Sequence, residues 1–125
     1  MQGQHLTADL YQCRCEAAWL TDAQRLGAWC LATLQAAALQ PLAHLVHDQA
    51  ADARGAGGAV VTVLLPDAHL LLRTWPAERG VGIDLFAGAA NGPSGDIARR
   101  LMETLAAHFQ PQWTEQRTLD RGDGQ

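Results

Sequence analysis

Three short apolar runs, at 60–65, 70–74 and 81–86, follow one another with little chain between them, and they constrain the fold more than any other feature. The first two are rich in Val and Leu and are joined by Pro66-Asp67-Ala68, so each reads as a strand. The third alternates around Gly82 and Asp84, as a strand with one buried face does. Connections this short join antiparallel neighbours, because a parallel pair needs a long crossover.

The flanks supply a second layer. Residues 4–11 read as a further strand. Thr21-x-x-Gln24 is a capping-box start for a helix in which Leu26, Trp29, Cys30, Leu34 and Ala37 recur at helical spacing until Pro41 bars continuation, about 18 residues in all. Residues 42–48 read as a strand and the Ala/Gly/Asp-rich stretch 49–58 as a mobile hairpin loop. Ser94 is an N-cap for a second helix marked by Ile97, Leu101, Leu105 and Phe109 and ended by Pro111, and residues 113–119 read as a last strand. The order β-α-β-β-β-β-α-β predicts an α+β fold, a two-layer sandwich whose mainly antiparallel sheet carries two helices on one face. A chain of 125 residues has room for one core, so a single domain over 1–122 and a polar tail at 123–125 are expected.

Composition excludes several functions. The chain has no lysine, which rules out a lysine Schiff base and the usual pyridoxal-phosphate chemistry. A net charge of −4, with arginines scattered singly apart from Arg99-Arg100, provides no basic stripe for nucleic acid. No apolar stretch approaches a membrane span and the first residues lack a secretory signal, so a cytoplasmic protein is expected.

Cys13, Cys15 and Cys30 lack Cys-x-x-Cys spacing and read as free thiols, although a strand would put Cys13 and Cys15 on one face and keep a metal or redox pair open. His44 and His108 have no partners at ligand spacing, so no metal is expected. Trp19, Trp29 and Trp113 read as core or interface aromatics, and Asp96–Arg100 and Arg99–Glu103 as i, i+4 pairs on a solvated helix face.

Over residues 3–122 the chain resembles the bacterial S-adenosylmethionine decarboxylases. The likeness is carried by Gly3-Gln4-His5-Leu6 with Asp9, Leu10 and Cys13, by the segment from Pro66 through Asp67-Ala68-His69-Leu70 to Thr74-Trp75-Pro76, by Asp84-Leu85-Phe86, and by Asp120-Arg121-Gly122. His47 falls near the histidine that ends the family's second strand. In that family the chain cuts itself before a serine and turns the serine into a pyruvoyl group that decarboxylates the substrate in polyamine (spermidine) biosynthesis. The resemblance implies an S-adenosylmethionine decarboxylase-like fold and a protomer that pairs through its sheet into a homodimer.

The departures fall on the chemistry. Ala68 stands where the family has its serine, Arg73 where it has the histidine that assists processing, and Gly88 where it has a cysteine acid. Without a hydroxyl at 68 the pyruvoyl cannot form, so no cofactor is expected, and the loss of all three groups implies a natural non-processing homologue. No catalytic residue survives at these positions; Asp9, Leu10, Asp67, His69, Arg73 and Asp84 are what would remain of a ligand pocket. Arg73 has two readings: an ion pair with Asp9 or Asp84 that plugs the old site, or a free cation that turns the pocket toward an anion. Three functions stay open. They are a silent paralogue that binds a small molecule or forms a hetero-oligomer with an active relative, a lyase with altered, pyruvoyl-independent chemistry, and a purely structural dimer module.

Overall fold

The computed structural model describes residues 1–122, and the tail expected at 123–125 lies outside the described residues. Six strands, β1 (Gly3–Tyr11), β2 (Ala43–Asp48), β3 (Ala59–Leu65), β4 (Ala68–Trp75), β5 (Gly80–Gly88) and β6 (Trp113–Arg121), form one sheet in the order β2-β3-β4-β5-β1-β6, every neighbour antiparallel. Helices α1 (Ala18–Thr21), α2 (Ala23–Ala36) and α3 (Gly95–His108) form the second layer, with α2 over β2 and β3, α3 over β5 and β1, and α1 against β4. No helix is long and apolar enough to cross a membrane among the described residues.

Alternation along the strands separates the two faces of the sheet. In β1, Leu6, Ala8 and Leu10 enter the core under the helices while His5, Thr7, Asp9 and Tyr11 point the other way. The apolar runs of β3 and β4 obey the same rule: Val61, Val63 and Leu65 are buried, whereas Val60, Thr62 and Leu64 face out. No second layer covers that outward face among the described residues, and it leaves Leu45 69% exposed, Leu119 61% and Trp113 50%.

Several local expectations are corrected. Asp22, not Thr21, is the N-cap of α2: its carboxylate accepts from the Arg25 N–H at 3.1 Å, while Thr21 closes α1 and donates its hydroxyl to the Ala17 carbonyl. Asp48 at the end of β2 also accepts from the Ala23 N–H at 2.8 Å, so the helix start is fixed from both sides. The helix stops after 14 residues, short of Pro41, because Ala38 turns left-handed (φ 63) and the Leu39 N–H returns to the Leu34 carbonyl. Ser94 caps α3 as expected, accepting from the Ile97 N–H at 3.2 Å. The i, i+4 pairs on α3 do not form among the described residues; Arg99 turns back to Asp96 in the first turn. The 49–58 loop is anchored by Gln49 N–H to the Gly58 carbonyl at 2.8 Å and by Arg54 to Glu78 at 3.1 Å.

Thr74 and Arg79 add further polar ties between elements. Thr74, with 0% exposure, donates its hydroxyl to the Leu20 carbonyl at 2.6 Å and accepts from the Ala59 N–H at 2.8 Å, tying α1 to β3 and β4. Arg79, itself left-handed (φ 49), donates to the carbonyls of both Cys13 and Cys15. β1 has already ended there, because Gln12 takes φ 51, so the two cysteines lie in a loop and not on a strand. Burial pushes the Cys13 thiol up to about 11 and Cys30 up to about 12, and it raises Cys15 against the pull of Arg79. No group of three or more His, Cys, Asp or Glu side chains that could hold a metal ion occurs among the described residues.

At the far end of α3, His108 lies between Trp29, stacked at 3.8 Å between centroids, and Trp19, edge-on at 4.2 Å. Its Nε2 is buried without a hydrogen-bond partner. Burial, with Arg25 second, lowers its pKa.

Candidate functional site

The sheet register places four of the six pocket residues on the open face. Asp9, Gly82, Arg73 and Val60 stand side by side on β1, β5, β4 and β3. The adjacent row is Thr7, Asp84, Leu71 and Thr62, and the next is His5, Phe86, His69 and Leu64. The other two pocket residues are elsewhere. Leu10 is a core residue beneath the helices, because the alternation that turns Asp9 outward turns its neighbour inward. Asp67 sits in the β3–β4 turn in a left-handed conformation (φ 50) that aspartate tolerates.

This turn, which the resemblance matches to the family's self-processing step, is tightly packed against the end of β5. The Asp67 carboxylate accepts from the Asn91 N–H at 3.0 Å, and its carbonyl accepts from the Gly88 N–H at 2.7 Å. A Cβ placed on Gly88 would lie 2.1 Å from that carboxylate. The space where a side chain at 88 would begin is therefore filled by Asp67. Ala68 turns its methyl into the core at 7% exposure. Asp67 and His69 do not form a dyad: the carboxylate is held by Asn91, and the imidazole stacks on Phe86 at 5.4 Å.

On the open face most charges already have partners. His5 meets Asp84 at 3.3 Å, and Arg117 joins Asp9 at 3.4 Å to Glu115 at 3.1 Å. Tyr11 donates its hydroxyl to Glu115 at 3.0 Å, a hydrogen bond that raises its pKa, and stacks on Trp113 at 4.1 Å. Arg73 makes no ion pair, side-chain hydrogen bond or ring contact among the described residues. Neither Asp9 nor Asp84 plugs the old site with it. Beside it the Trp75 ring leans over Gly82, where a Cβ would meet the ring at 3.2 Å and the Asp9 carboxylate at 3.8 Å.

His5, Trp75, Gly82 and Arg117 shape this surface and were not among the residues expected of the pocket. Gly82 carried a signal, since a glycine inside a strand marks close approach of another group. Arg117 carried none for its link to Asp9, which is 108 residues away in sequence on β1.

The S-adenosylmethionine decarboxylase family profile matches residues 4–122. Among solved structures, the chain is similar to the adenosylmethionine decarboxylase from Aquifex aeolicus, with 20% identity and a TM-score of 0.78 over 98% of this chain and 92% of that one. No curated protein sequence matches the chain at a significant level.

Proposed function

This chain belongs to the S-adenosylmethionine decarboxylase family, and we propose that within it the protein is a non-processing, pyruvoyl-free paralogue linked to polyamine biosynthesis, which acts by binding and not by decarboxylation. The observation that carries the reading is the state of the turn at Asp67-Ala68. No hydroxyl stands at 68, Asp67 fills the place of the family's acid at 88, and Arg73 is a guanidinium that stays protonated and cannot serve as an ordinary base. The chain's single serine, Ser94, is committed to the α3 cap. Thr74 is buried and bonded on both sides of its hydroxyl.

The uncovered sheet face suits pairing with a second copy or with an active relative, since Leu45, Leu64, Trp113 and Leu119 are otherwise left in water. A purely structural module would need Arg73 sealed by Asp9 or Asp84, and both acids are paired with other residues. A pyruvoyl-independent lyase would need a nucleophile or electron sink beside these charges, and none of the residues described above supplies one. The test is the intact mass of the purified protein with a carbonyl assay: one uncut chain, unreactive toward hydrazine, is expected. Two fragments parting between Asp67 and Ala68 would end this reading.

A further inference from the structure

Only Arg73 and Arg79 among the arginines are half-buried; the others are exposed. Arg79 is matched by two backbone carbonyls. Arg73 has no side-chain partner among the described residues, although it stands in a row with Val60 on one side and the Trp75-covered Gly82 on the other. A guanidinium partly withdrawn from water gains most from an oxyanion that its planar fork can hold through two N–H donors. The carboxylates within reach on this face are engaged, Asp9 and Glu115 by Arg117 and Asp84 by His5. A second copy of the chain would bring the same acids to this face, each already paired among the described residues.

We propose that Arg73 anchors a binding site for a small oxyanion, a carboxylate or a phosphate group, on the open sheet face beside Trp75 and Gly82. This inference rests on the silent-paralogue reading, because an active family member carries a histidine at this position. It reverses the charge preference expected of a pocket for a sulfonium substrate. Trp75 serves as the wall of the site, and Gly82 provides the close backbone that lets its ring lie there.

The experiment is a titration of the full chain with sodium malonate and, separately, sodium phosphate, against sodium chloride at matched ionic strength, read by calorimetry and by thermal shift. Wild type should bind at least one of the two anions, and the tighter arm identifies the class. Arg73→Gln should bind about tenfold more weakly or worse, while Arg73→Lys, which keeps the charge without the planar fork, should fall between. Arg100→Gln removes an exposed arginine without a side-chain partner among the described residues and should match wild type. Equal anion binding by wild type and Arg73→Gln would overturn the proposal, as would a response no larger than that to chloride. A loss of self-association in Arg73→Gln without any anion effect would also overturn it, by assigning the guanidinium to a second copy. The intact mass of the same sample reports separately on whether the chain is uncut.

Discussion

Adding one carbon at Gly88 tests the packed turn directly. The new Cβ of Gly88→Ala would sit 2.1 to 2.2 Å from three atoms of the Asp67 carboxyl group, against 3.4 Å for an ordinary contact, so the carboxyl must move by more than 1 Å. It cannot do so and keep the 3.0 Å hydrogen bond from the Asn91 N–H. Loss of a hydrogen bond to a charged acceptor costs about 1.5 kcal/mol, taken at the low end because Asp67 is exposed and water can replace part of it. Alanine returns roughly 0.5 kcal/mol by restricting the unfolded chain, since Gly88 has no positive φ to strain. The net expectation is destabilisation by about 1 kcal/mol, a factor of about five in the folding constant.

Urea unfolding of wild type, Gly88→Ala, Asp67→Gly and the double variant measures this as a cycle. Asp67→Gly suits the left-handed backbone and removes the carboxylate. In that background Gly88→Ala should be neutral or slightly stabilising, with a coupling of about 1–2 kcal/mol. Strict additivity of the two changes would refute the interlock.

The proposed loss of processing is tested at the same turn: Ala68→Ser should stay largely uncut and Ala68→Ser with Arg73→His should recover some cleavage by mass spectrometry, whereas rapid cleavage of the single variant would mean that Arg73 is compatible with it. Thr74→Val leaves the Leu20 carbonyl and the Ala59 N–H without their partner and should cost about 2–4 kcal/mol in urea unfolding; a loss below 1 kcal/mol would argue against the paired role. A thiol pushed up to about 11 is only about 0.1% thiolate at pH 8. Ellman's reagent should therefore titrate the three cysteines quickly only after unfolding, and fast reaction of Cys13 in the native protein would contradict its burial. His108 has a folded pKa below its unfolded one, so the unfolded chain takes up the proton first and stability falls as pH drops below about 6.5. His108→Phe should lose stability less steeply between pH 7 and 5, and an unchanged slope would rule out His108 as a source.

The strands were legible because alternation is a local signal: His5, Thr7 and Asp9 announce the outward face of β1 without reference to any other part of the chain. Even the apolar runs of β3 and β4 gave away their existence, though not that Val60 and Leu64 would face outward. The end of α2 was hidden because Ala38, a good helix former, takes the left-handed turn that glycine usually supplies, leaving Pro41 as a misleading stop. Of the six positions named for the pocket, Asp9, His69, Arg73 and Asp84 share the open face, but none of their contacts was readable. That Arg117 would claim Asp9, leaving Arg73 alone, depends on pairing across β1 and β6, which no spacing encodes. The filling of Gly88 by Asp67 is hidden for the same reason: it is set by the meeting of the β3–β4 turn with the end of β5.

The strand order also has a temporal consequence. Among the described residues β1 pairs with β5 and β6, so it must wait for strands made much later before its backbone is satisfied. During synthesis, the β3-β4-β5 meander can close on itself while β1 remains an unpaired, partly apolar segment. Closing the sheet then requires β1 to pair across a long stretch of chain, which slows folding and leaves the β1 side of β5 open to the wrong strand until it is complete.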